Sequence, residues 1–149
     1  MSCADNVVWG YPVKYELFVL SPEGKTVRKI VKDYDPVKIT KEDRERRRKD
    51  LLGDRELPTG FKLKFPKNYY AFCFFICGDD GKIYVRTYEK DERGDYIYDV
   101  FDPEGRYIAN FSLPVIDFLY IAKGNKLYTM VWEDEKGIPV VKRYDVEWR

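Results

Sequence analysis

The chain contains no histidine and no glutamine, and only four asparagines, Asn6, Asn68, Asn110 and Asn125. Without histidine, neither a Ser-His-Asp nor a Cys-His catalytic arrangement can be assembled, and a histidine-based zinc site is excluded. Cysteine is scarce, at three residues. Cys73 and Cys77 stand four apart in an expected strand, so they face one side with Cα atoms roughly 13 Å apart. A disulfide needs less than about 7 Å, so the two do not pair and are read as buried free thiols of a reducing compartment. They also lack the spacing of a metal-binding knuckle. No long apolar run is present: the longest, 69–77, has strand length, against the roughly 20 residues of a membrane-spanning helix. The opening Met1-Ser2-Cys3-Ala4-Asp5-Asn6 carries no apolar leader. The expectation is a cytoplasmic protein, unless the chain is a piece of a longer exported one. Nor is there an excess of either charge. Lys and Arg number 27, Asp and Glu 26, for a net charge of +1. A general attraction to nucleic acid or an anionic membrane is therefore not supported.

What is present is enough apolar material for a core: 149 residues, 44% hydrophobic and 17% aromatic. Few thermolabile amides and abundant charge form the composition expected of a thermophile. Pro and Gly punctuate the chain. Ser21-Pro22-Glu23-Gly24 and Asp102-Pro103-Glu104-Gly105 have Pro second and Gly fourth, a type I turn signature. Gly78-Asp79-Asp80-Gly81 and Glu133-Asp134-Glu135-Lys136-Gly137 read as two further reversals. The first of these lacks the alternating oxygen ligands of a calcium loop. Between the turns, aromatic and β-branched residues mark strands at 7–11, 14–20, 26–32, 70–77, 82–89, 96–101, 107–111, 118–122, 126–132 and 140–147. Several are apolar on both faces, as strands buried between two layers are. One stretch differs: 40–52 shows no strand pattern, has Thr40 placed as N-cap, Glu42 and Asp43 in the first turn, basic residues later and Gly53 at the end. That order predicts a short surface helix.

Self-similarity organises the rest. Lys82-Ile83-Tyr84-Val85-Arg86-Thr87-Tyr88-Glu89 matches Lys126-Leu127-Tyr128-Thr129-Met130-Val131-Trp132-Glu133 at an offset of 44, and Tyr98-Asp99-Val100 is matched with Tyr144-Asp145-Val146. A period near 44 residues with four strands is that of β-propeller blades. On the residues 14–25, Arg28-Lys29-Ile30, Tyr34-Asp35-Pro36-Val37, the charged segment after Thr40, 98–108 and 141–148, the chain resembles the C-terminal half of six-bladed β-propeller proteins related to the NHL-repeat group. The resemblance implies an all-β fold of four-stranded antiparallel blades. About 2.5 blades are expected: an incomplete one over 5–34, a helical insertion over 38–66, a complete one over 69–113 and an incomplete one over 116–148.

Open blade edges expose unpaired backbone groups. Self-association is therefore expected, as a dimer completing the blades, with another propeller-half polypeptide as the rival partner. The expected role is a non-enzymatic interaction or scaffold module. The resemblance also leaves open a metal-dependent hydrolase or lyase acting in an assembled ring, as in some related propellers. No catalytic, cofactor-binding or metal-ligating residue is assigned, and no cofactor is expected. Arg44, Arg47 and Arg48 share a face of the expected helix. They read as a solvated surface or as a dock for an acidic partner or RNA. Trp148 is a candidate subunit contact. Asp99, the one acid inside a strongly apolar strand, is expected to form a structural ion pair with Arg86 on the neighbouring strand.

Overall fold

The computed structural model describes residues 2–3, 5–132 and 136–147. Trp148 and the Glu133-Asp134-Glu135 part of the expected last turn lie outside the described residues. Apart from one helix, the described elements are strands, in three antiparallel sheets formed in chain order. The first sheet joins β1 (Ser2–Cys3), β2 (Asn6–Tyr11), β3 (Glu16–Leu20) and β4 (Thr26–Val31) in sequential order. The helix α1 (Lys41–Leu52) follows. The second sheet joins β5 (Phe74–Cys77), β6 (Ile83–Lys90), β7 (Tyr96–Phe101) and β8 (Tyr107–Leu113). The third joins β9 (Phe118–Lys123), β10 (Lys126–Val131) and β11 (Val140–Asp145).

The reversals are made as the turn chemistry requires. In the two Pro-Glu-Gly turns, Gly24 and Gly105 have φ of 79° and 80° and donate their N–H groups to Ser21 and Asp102 carbonyls. Both turns connect the third strand of a sheet to its fourth. The helix carries its expected cap: Thr40 Oγ1 accepts from Asp43 N–H at 3.1 Å while Asp43 Oδ2 accepts from Thr40 N–H at 3.0 Å. This reciprocal box satisfies two otherwise orphaned donors.

Strand alternation stacks the sheets. Val8, Leu17, Val19 and Ile30 of the first sheet pack on Ile83, Val85 and Phe101 of the second. Tyr84, Tyr98 and Val100, on the opposite face of the second sheet, pack on Leu119, Ala122 and Leu127 of the third. The middle sheet is thus apolar on both faces because it is covered on both. Residues 83 and 127 face back toward the preceding sheet, so the offset of 44 relates equivalent positions.

Several expectations are corrected. The first sheet has four strands, not three, because two-residue β1 pairs with β2 through Ser2–Val7 and Cys3–Asn6. The strand expected over 70–77 is restricted to Phe74–Cys77. Ala71 and Phe72 are buried in the first core without pairing along a strand, Ala71 donating its N–H to Pro12. The Tyr-Asp-Val match is out of register. Ile83 pairs with Phe101 and its equivalent Leu127 pairs with Tyr144, so Tyr144 stands where Phe101 does, not where Tyr98 does. The ladder between β6 and β7 shifts register between Arg86 and Lys90, and such an irregularity moves the match without leaving a composition signal.

Candidate functional site

Asp99 and Arg86 do not meet. Arg86 pairs across the ladder with Tyr98, while Asp99 pairs with Val85. One residue of register places two side chains on opposite faces of a sheet. Asp99, 1% exposed, points into the first interface. Its Oδ2 accepts from Tyr15 Oη and Lys32 Nζ, each at 2.7 Å. Burial first, and the Asp99 carboxylate second, push the Tyr15 hydroxyl far above its ordinary range. Lys32 also lies over the rings of Tyr15 and Tyr107, at 5.4 and 5.1 Å. This cluster ties the first sheet to the second. Arg86, on the other face, is held among the rings of Tyr96, Phe118 and Phe74 at 4.0, 4.9 and 5.6 Å. A guanidinium stacks well on aromatic faces. It therefore fills the second interface as a flat cation among aromatics.

A second buried carboxylate was not anticipated. Asp117, 2% exposed, accepts from Tyr144 Oη at 2.5 Å, Lys142 Nζ at 2.8 Å and Thr129 Oγ1 at 3.1 Å. These partners come from β10 and β11, so the cluster ties together the third sheet. Asp117 precedes β9 in a loop segment with no apolar periodicity to mark it; only the ladder reveals its partners. Burial alone would raise its pKa, but the hydrogen bonds from Lys142, Tyr144 and Thr129 outweigh it and hold the carboxyl below its ordinary value. A carboxyl depressed in the folded state stabilises fully above the unfolded pKa of about 3.9, and that stabilisation is lost as pH falls through the folded value. Calorimetric scans between pH 6 and 2 are expected to show the unfolding midpoint falling below about pH 4. In Asp117→Asn that fall becomes shallower, and an unchanged slope removes this role.

The helix arginines do not converge on one pocket: Arg47 lines a cleft with Ile39, Tyr69 and Tyr88, Arg48 a separate one beside Gly53, and Arg44 neither. Arg44, Arg47 and Arg48 are all exposed, and no residue of α1 is buried. The ion pair along α1 is Arg46 with Asp43, at 2.5 Å. The cysteines also differ from expectation: Cys73 is exposed and precedes β5, Cys77 is half-buried, and Cys3 is buried. Among the described residues no group of three or more Cys, Asp and Glu side chains is placed to hold a metal ion. Among the described residues no helix is long and apolar enough to cross a membrane.

The two outer sheet faces carry exposed apolar residues. On the first sheet, Val7, Trp9, Tyr11, Val27 and Val31 are between 45% and 60% exposed, and Trp9 stacks on Phe18 with ring centroids 4.3 Å apart. On the third sheet, Tyr120, Ile121, Trp132 and Val141 are between 49% and 69% exposed. Tyr120 and Ile121 share that face because the β9–β10 ladder shifts register there. Each is an apolar surface of the kind that marks interaction sites. No protein-family model, no curated protein and no solved structure matches the chain.

Proposed function

We propose that the chain is a non-enzymatic interaction module of β-propeller type, related to the NHL-repeat group, that works by self-association through its two end faces. The observation that carries this reading is the equivalence of those faces with ones covered inside the molecule. Tyr128 and Trp132 stand 44 residues after Tyr84 and Tyr88, and Tyr84 is buried against a following sheet. The outer face of the first sheet corresponds to the faces of the second and third that carry Ile83 and Leu127, both buried against a preceding sheet. Placing the third sheet of one copy on the first sheet of another repeats a contact the chain already makes twice. Two copies joined in this way at both ends would give six sheets in a closed two-fold ring.

Native mass spectrometry and light scattering test this. The expected species is a dimer of the 17.8 kDa chain. Trp9→Lys and Trp132→Lys, each placing a charge on one end face, are expected to yield folded monomers. A triple Arg44→Ala, Arg47→Ala, Arg48→Ala variant keeps the dimer. A wild-type monomer at all concentrations overturns the reading.

A further inference from the structure

The first two sheets each have a fourth strand, β4 and β8, paired to the outer edge of the third. Among the described residues no strand pairs with the corresponding edge of β11. Beside that edge lies an open groove of about 810 Å³, lined by Ala109, Phe111 and Leu113 of the second sheet and by Leu127, Tyr144 and Val146. Between the first two sheets the corresponding place is filled: the β7–β8 turn packs against β4, with Gly105 against Arg28 and Ile30. The groove is the gap that a fourth strand of the third sheet would fill.

The backbone beside it is prepared for pairing. Val146 donates its N–H to Asn125, on the β10 side. Hydrogen-bonding direction alternates along an antiparallel strand, so the N–H groups of Asp145, Arg143 and Val141 point to the open edge.

The same chain has a segment with the complementary defect. Residues 61–65, Phe61-Lys62-Leu63-Lys64-Phe65, alternate apolar and polar as a half-buried strand does. They form no strand, and Phe61 and Leu63 are 70% and 36% exposed. Gly60 has a φ of 91° and opens the segment after a turn, and Pro66 closes it. The alternation matches that of β8, which places Ala109, Phe111 and Leu113 on one face.

We infer that residues 61–65 of a second copy dock as an added strand on β11, with Phe61 and Leu63 in the groove. This rests on the self-association proposed above and names one of its contacts. The added strand pairs backbone groups that are otherwise left at an edge, and alternate side chains supply selectivity. Exchange of an identical element between copies is a low-cost route to assembly.

The test uses the full chain carrying Phe61→Asp and Leu63→Asp, which leave the sheets untouched, and a fluorescein-labelled peptide of residues 59–67. The double variant is expected to weaken the dimer and to bind the peptide. Arg143→Pro removes one N–H from the open edge, where proline is tolerated in a folded sheet. It is expected to weaken peptide binding about tenfold or more. Ala109→Trp, which fills the groove from the second sheet, does the same by a route that leaves β11 intact. A dimer unchanged in the double variant, with no peptide bound, overturns the strand exchange while leaving end-face association standing. A wild-type monomer overturns both.

Discussion

Asp99→Ala is expected to lower the thermal unfolding midpoint by about 6–12 °C. The carboxylate is 1% exposed and accepts hydrogen bonds from Tyr15 and Lys32, both of which reach it from the first-sheet side of the interface. Removing it leaves a buried tyrosine hydroxyl and a three-quarters-buried ammonium without their acceptor. Breaking a buried pair costs about 3–5 kcal/mol, and the partial exposure of the Lys32 side chain, 26%, puts the expected loss near the lower end. Asp99→Asn keeps an acceptor for Tyr15 and removes the charge, so its loss is expected to be smaller. Tyr15→Phe removes one hydrogen bond and is expected to cost about 1–2 kcal/mol. Differential scanning calorimetry of the three variants checks the order. An alanine variant as stable as the parent would show that the cluster contributes nothing to joining the sheets.

Gly105→Ala is expected to destabilise by about 2–5 kcal/mol, whereas Gly24→Ala, in the other Pro-Glu-Gly turn, is expected to cost about 1–2 kcal/mol. Both glycines have nearly the same left-handed φ, so both alanines carry the backbone strain. They differ in what surrounds them. A Cβ on Gly24 meets nothing within 4 Å, while one on Gly105 lies 2.7 Å from Arg28 Cδ and 2.8 Å from Ile30 Cγ1. The arginine stem can swing aside. Ile30 is 3% exposed and held in the core, so a methyl group pushed against it separates the two sheets locally. Chemical denaturation of both variants measures the difference. Equal losses would mean that β4 moves aside without cost.

These two turns also show how far local chemistry reaches. Four residues of nearly identical type, Ser-Pro-Glu-Gly and Asp-Pro-Glu-Gly, establish the same reversal and the same φ, and that is legible in the sequence. So are the helix after Thr40 with its stop at Gly53 and the presence of strands apolar on both faces. Each is set by residues within a few positions of one another. The Cys3-containing strand β1 was not legible, because two residues carry no period and their strand assignment comes only from pairing with β2. The Arg86–Asp99 pairing failed for a related reason. The two residues do lie on neighbouring strands, but a one-residue difference in register puts the guanidinium among aromatic rings on one face and the carboxylate beside Lys32 on the other.

By itself, then, the sequence determined the helix, most of the strands, the two Pro-Glu-Gly turns and a repeat of about 44 residues, since propensity, capping and alternation act over short distances. Only the tertiary structure decided which residues face which. Asp99 finds a lysine 67 positions away and Asp117 finds Tyr144 27 positions away. The two apolar end faces and the groove beside β11 likewise become visible only when the equivalent surfaces inside the stack are seen to be covered. Burial is a property of neighbouring sheets, and no window along the chain contains them.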